Sequence, residues 1–380
     1  MAVFGWGLGF YGPGFYLLAL PTRVGSATAI SAAATFYFLV GAALITQLPA
    51  ALRRWGTRRT ILSGICAVAA ATAAIPAVSQ IWQLYLLYAL MTVGWATMSS
   101  TAIAAMVTPW FAARPGPPLS LALTGSSLGG IVIIPLLVHL RSAWGFAAGT
   151  RAVAALMLVL LLPLAWVVVA RPAPAGPKQG TVSSSAAPRL SPLRTPRFWT
   201  IVGPSALALT AQVAFLNHQL SLLAPTLGAQ QAAGIVSVTG LAAVGGRLCL
   251  GSFAHRANLR WTAAAVFVIQ AAGLTALAAA NPRDAITAYL ACGLFGLGVG
   301  NLITMPALLI HDEFPAETFT QTISLSTAIG QFTYAFGPFL MAVIRDNSTS
   351  AGPALAFCIA LELAAAILVR ATRTRSASQI

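Results

Sequence analysis

QQAAGIVSVTGLAAVGGRLCLG, residues 230–251, is an apolar stretch that contains one cation, Arg247. As a helix it is long enough to cross a hydrocarbon core of about 30 Å. A guanidinium stays ionised in proteins, and at membrane depth a charge costs at least about 2.5–3.5 kcal/mol. Such a residue normally faces a cavity or a partner. Only one carboxylate, Glu362, is predicted deep in an apolar segment, and it belongs to the last one. The partner of Arg247 is then expected to be an anionic cargo, held by the planar fork of donors. The competing reading is a snorkelling side chain, because Arg247 lies one or two turns from the end of its segment.

The rest of the chain repeats the pattern. Hydrophobic residues make up 58% and charged ones 7%, against about 25% charged in soluble domains. Twelve spans are predicted: 2–20, 30–51, 60–79, 82–107, 118–139, 150–170, 198–222, 230–252, 259–280, 285–310, 320–344 and 351–371. The expected class is an all-α integral membrane protein. Its partner would be the lipid bilayer.

A net charge of +15 invites a nucleic-acid reading, but the placement of the cations excludes it. With the N-terminus in the cytoplasm, fifteen Lys and Arg fall in cytoplasmic loops and tails. Five (Arg23, Arg141, Arg151, Arg283, Arg345) fall on the other side. That bias predicts a multi-pass inner-membrane protein with both termini cytoplasmic. Cys66, Cys249, Cys292 and Cys358 all lie in predicted helices without C-x-x-C spacing, so neither a disulfide framework nor a metal site follows. No cofactor is expected.

Residues 171–197 break the pattern with six prolines, three consecutive serines and five basic residues. They read as a linker between a six-helix half, 1–170, and a second, 198–380. The halves echo each other at an offset of 202–203. Arg53-Arg54 matches His255-Arg256, Phe111 matches Phe314, and Thr124 and Pro135 match Thr327 and Pro338. Paired repeats of this kind are one arrangement used by transporters.

Several segments resemble the major facilitator superfamily, and more narrowly its monocarboxylate transporter and oxalate/formate antiporter branches. They are GFYGPGF (9–15), WFAARPG (110–116) with Thr124-Gly125, and GRLCLG (246–251) followed by His255-Arg256. The likeness covers nearly the whole chain. Arg53 and His255 stand where the family's loop signatures carry Asp, and Ala243 where related carriers often have one. The resemblance implies a fold in which helices 1, 4, 7 and 10 line a central cavity, with helices 2, 5, 8 and 11 contributing.

On that basis the candidate substrate-binding residues are Arg247, His218, Tyr11, Tyr334, Asn301 and Gln331. His218 is expected either to carry a proton with the anion or to be a neutral structural histidine. Glu362 is either a proton-coupling site or a neutral, hydrogen-bonded acid. Arg53, Arg54, His255, Arg256, Asp312 and Glu313 form a candidate cytoplasmic gate, in which Asp312, Glu313 and Glu317 clamp the basic loops when the carrier opens outward. Their bland alternative is a solvated cluster with Glu317 at a helix N-terminus. Gly125-Ser126-Ser127-Leu128-Gly129 matches G-x-S-x-G, but it lies within a predicted helix and is read as packing, not as a serine nucleophile.

These residues predict a transporter and not an enzyme. It is expected to work as a monomer by alternating access, moving a small monocarboxylate by proton symport or anion exchange. The alternative is an efflux carrier for an amphiphilic or cationic compound.

Overall fold

The computed structural model describes residues 1–107, 110–111, 116–168, 192–253 and 258–371. The proposed linker lies almost wholly outside the described residues, as do His255 and Arg256. Every regular element among the described residues is helical. In chain order these are α1 (Ala2–Gly9), α2 (Gly12–Ala19), α3 (Pro21–Val24), α4 (Ala27–Trp55), α5 (Thr57–Ala74) and α6 (Ile81–Thr97). Then come α7 (Ser100–Val107), α8 (Gly116–Leu128), α9 (Ile134–Val168), α10 (Pro196–Leu227) and α11 (Ala229–Phe253). The last are α12 (Leu259–Ala279), α13 (Ala285–Leu302), α14 (Met305–Glu313), α15 (Ala316–Ala335), α16 (Gly337–Asp346) and α17 (Gly352–Arg370).

Ten helical segments are long and apolar enough to cross a membrane. The segment expected first, residues 2–20, is not one of them, because it is broken. Pro13 has no N–H to offer the Gly9 carbonyl, and the Tyr11 N–H reaches back five residues to the Trp6 carbonyl at 3.0 Å. The α-helical ladder loses register there, and two short helices meet at Phe10 and Tyr11.

A second difference concerns residues 140–149, expected as a loop. They are helical except at Gly145 (φ 82°, ψ 166°), where the backbone reverses in one residue. Gly56 and Gly228 join α4 to α5 and α10 to α11 in the same left-handed region, which a side chain with a Cβ disfavours. Between α8 and α9, residues Gly129–Ile133 form a π-turn.

Helix ends are capped by short polar side chains. Ser26 accepts from Ala29 N at 3.1 Å. Asn258 accepts from Arg260 N and Trp261 N, and Asp284 from Ile286 N and Thr287 N. Such caps satisfy N–H groups that the helix leaves unpaired.

Packing relies on small residues. A Cβ on Gly296 would meet the Thr239 carbonyl oxygen at 2.5 Å, and one on Gly246 or Gly300 would collide with the Leu297 or Ala243 carbonyl. α11 and α13 therefore touch backbone to backbone, as small residues permit in lipid. α4, α5, α6 and α9 pack among themselves, as do α10, α12, α13 and α17. α2 lies against α10, and α4 against α15 and α16. These contacts bring helices from before residue 169 against helices from after residue 191.

Candidate functional site

Arg247 is half-buried on α11. Its Nε donates to the Gly300 carbonyl oxygen at 3.3 Å. The ion pairs among the described residues are made by Arg197 and Arg260, so the remaining guanidinium donors face no carboxylate. Tyr11, at the break between α1 and α2, approaches Arg247 closely enough for the two to interact electrostatically. The Tyr11 ring lies over Gly130, where a Cβ would come within 2.9–3.1 Å of three ring carbons. Glycine in the π-turn thus makes room for the tyrosine. The same turn exposes the Ile131 carbonyl, which accepts a hydrogen bond from Ser237 Oγ of α11 at 2.8 Å. A break in one helix and a π-turn in another thereby meet at Tyr11, within electrostatic reach of Arg247 on the other set of helices.

The other expected cavity residues divide. Asn301 follows the carbonyl that holds Arg247; its Nδ2 donates to Leu297 O at 3.1 Å and its buried Oδ1 has no partner. Tyr334 and Gln331 are half-buried on α15. The Tyr334 ring packs edge-on against Phe38 of α4, 5.7 Å between centroids, again across the seam.

His218 belongs to a different cluster. It is wholly buried, and Arg345 NH1 stands 2.9 Å from its Nδ1. A guanidinium only donates, so Nδ1 accepts and the ring proton is on Nε2, which donates to the Pro338 carbonyl at 2.9 Å. Ser31 Oγ lies 3.5 Å from Nε2, and Arg345 NH1 also donates to Ser221 Oγ at 2.9 Å. Both ring nitrogens are thus engaged by protein, as a structural histidine would be, and neither is left for an anion in this conformation. One residue on, Asp346 Oδ2 accepts from Thr28 N (3.1 Å) and Thr28 Oγ1 (2.6 Å). A carboxylate from α16 therefore caps the N-terminus of α4, a charge-assisted contact.

At the opposite end Glu313 gathers three helices. Arg260 holds it bidentately, Nε–Oε1 2.6 Å and NH2–Oε2 2.8 Å, and Arg197 Nε lies 2.8 Å from Oε2. Arg260 also donates to the Val369 carbonyl and to Thr200 Oγ1. Burial alone would raise the Glu313 carboxyl, but hydrogen bonds and charge from Arg260 and Arg197 outweigh it and hold the group below its ordinary range. No ion pair between Glu313 and the loop after α4 is found among the described residues in this conformation, whose polar side chains are exposed toward this end. Glu313 braces α10, α12 and α14 instead, while Arg53, Arg54 and Asp312 are exposed.

Glu362 on α17 is fully buried, and neither oxygen has a hydrogen-bond partner, so the bond expected for a neutral acid is not found among the described residues.

The two sets of helices contact each other at the Asp346 end, whereas polar side chains are exposed toward the Glu313 end. Ile30, Ala33, Ala34, Tyr37 and Phe38 of α4 are buried, and Thr35 Oγ1 donates to the Ala335 carbonyl at 2.7 Å. Further along the same helix Thr46 and Gln47 are exposed, and so are Gln321, Ser324 and Thr327 on α15. Exposed polar side chains in apolar helices fit a wetted opening better than a lipid face.

Sequence reasoning missed the contacts of Thr28, Ser31, Arg345 and Asp346. The available signal was that Asp346 is one of only six acidic residues and adjoins a basic one. It also missed Arg260, which it counted only as a loop charge.

Comparison with known proteins agrees with this architecture. The family described as Major Facilitator Superfamily matches residues 1–376. The MFS-type transporter pytF of Aspergillus terreus (strain NIH 2624 / FGSC A1156) is 29% identical over 151 residues, 40% of this chain and 50% of that protein. The matched region thus spans half of that relative's length. A point mutant of the nucleoside transporter NupG superposes with a TM-score of 0.77 at 12% identity, covering 97% of this chain and 95% of that one. The D-xylose-proton symporter gives 0.75 at 15% identity, covering 97% and 95%. At such identities these structures share the fold alone. With nearly every residue matched by the family and an all-helical bundle of apolar spans, the chain belongs to the Major Facilitator Superfamily: it is a multi-pass membrane transporter, not an enzyme.

Proposed function

We propose that the chain is a twelve-span secondary carrier of a small monocarboxylate, built of two six-helix halves and working by alternating access. The count takes α1 with α2 as one span and divides residues 121–167 at Gly145. The observation that carries the anion reading is Arg247, a permanent cation at the seam between the halves with one carbonyl bond and no carboxylate partner among the described residues. Tyr11 adds a second donor from the other half. One buried cation without a second favours a monoanion over a dianion. The cation bias of the loops supports a cytoplasmic Glu313 end in a plasma membrane, and this conformation then opens inward. The chain acts as a monomer, by proton symport or anion exchange. The name of the D-xylose-proton symporter supports the first route.

NupG and the xylose symporter bear the names of uncharged cargoes; Arg247 is what argues for an anion here. It argues equally against a cationic cargo, which would meet an unshielded guanidinium.

The test is uptake of labelled lactate, pyruvate, formate and oxalate into proteoliposomes, with an imposed pH gradient or with preloaded anions. Wild type is expected to move a monocarboxylate, and Arg247→Lys to lose at least about tenfold of that flux because a point charge replaces a bidentate fork. Dependence on the gradient or on preload separates symport from exchange. Normal transport by Arg247→Lys would remove the arginine from the site.

A further inference from the structure

The wall beside Arg247 is aromatic and continuous. Tyr11 packs edge-on against Phe10, 5.2 Å between centroids. Phe10 in turn contacts Trp6 at 5.2 Å, Trp95 of α6 in a stacked arrangement at 6.3 Å, and Phe38 of α4 at 6.0 Å. Phe38 reaches Tyr334 of α15 on the far side of the seam. Rings from α1, α4, α6 and α15 thus form one chain of contacts from Tyr11 across the boundary between the halves.

The hydrogen-bonding groups along this path are unspent. A buried indole N–H normally finds an acceptor. The Trp6 Nε1 is buried without one, although the residue as a whole is half-buried. The Tyr11 and Tyr334 hydroxyls also make no hydrogen bond among the described residues. An indole N–H and a guanidinium can only donate, and a phenol can do so. The wall therefore combines apolar faces with donors and carries no carboxylate. A lactate-sized anion would engage the guanidinium and leave the rings untouched.

We infer that the cargo is an acid bearing a planar aromatic ring, its carboxylate on Arg247 and its ring against Phe10 and Trp6. The inference rests on the anion reading above and narrows it. Offset or edge-on ring contacts add to the gain from burying apolar area. Phe10 and Trp6 are consequently specificity-determining residues, whereas Arg247 reads only the carboxylate that every such acid shares.

Phenylpyruvate and pyruvate isolate the effect, since they differ by one phenyl group. Concentration-dependent uptake of each is measured in proteoliposomes against protein-free vesicles, alongside quenching of tryptophan fluorescence. Phenylpyruvate is expected to half-saturate at a concentration on the order of tenfold lower than pyruvate. Trp6→Leu should erase most of that preference, while Trp6→Phe, which keeps a ring, retains most of it. Should Trp6→Leu fail to fold, Phe38→Leu makes the same test from the other side of Phe10. Equal or better transport of pyruvate overturns the aromatic inference and leaves the anion reading standing. Transport of neither acid overturns both. Loss of pyruvate and phenylpyruvate flux in the same proportion in Trp6→Leu would make the wall structural and not selective.

Discussion

Arg247 has five N–H donors, of which one is occupied among the described residues, at the Gly300 carbonyl. Tyr11 adds to this arrangement from the other set of helices, with its ring seated over Gly130 and within electrostatic reach of the guanidinium. Tyr11→Phe should therefore keep the packing and lose a donor. We expect its half-saturating acid concentration to rise about 3–10-fold, the worth of one hydrogen bond of roughly 0.7–1.4 kcal/mol, with the thermal midpoint unchanged. An unaltered uptake curve would place the hydroxyl outside the site. Arg247 was legible in the sequence because a lone cation in an apolar run has no bland local explanation beyond snorkelling. His218 was not, because its partners Pro338 and Arg345 stand 120 and 127 residues away. A histidine that lines a cavity and one that ties two helices together look the same in one dimension.

At the scale of elements, hydropathy located nearly every long helix but not the irregularities that build the site. The break at Phe10 and Tyr11 follows from Pro13 and could be suspected from Gly12-Pro13-Gly14. The π-turn at Gly129–Ile133 leaves no such mark, since its glycines suit close packing equally well. Acidic residues are as hard to read: Glu313, a candidate for one side of a gate, braces three helices in this conformation. Its carboxyl is held low by Arg260 and Arg197. A depressed carboxyl contributes stability that is present above the unfolded value, about 4.3, and is lost as pH falls through the lower folded value. Glu313→Gln should consequently lower the thermal midpoint in detergent at pH 7 by the equivalent of about 1–2 kcal/mol, since charge-assisted bonds become neutral ones. The gap between wild type and variant should narrow as pH drops below about 4. A gap independent of pH would mean that the brace works by packing and not by charge.

For the molecule as a whole, composition and loop charges carried the class and the expected orientation, while the conformation depends on contacts between distant segments. At the closed end, Asp346 on Thr28 and Ser31 beside His218 join the two sets of helices through polar groups, 318 and 187 residues apart in sequence. Such bonds are worth only about 0.5–3 kcal/mol each net, because water replaces them on separation. A seam held by them is suited to opening and closing in each cycle, whereas the apolar backbone contacts within each set are suited to moving as a body. If transport requires this end to open, a covalent link in place of the hydrogen bond must stop it. The double variant Thr28→Cys, Asp346→Cys, in a background with the exposed Cys66 and Cys249 changed to serine, supplies that link on oxidation. Oxidised protein should still bind the acid from the open end, read by tryptophan fluorescence, because Arg247 and Tyr11 lie away from the link. Its uptake should fall to the level of protein-free vesicles, and reduction should restore the flux. Undiminished transport with the disulfide formed would show that the cargo passes without separation at Thr28 and Asp346, and alternating access through this seam would have to be abandoned.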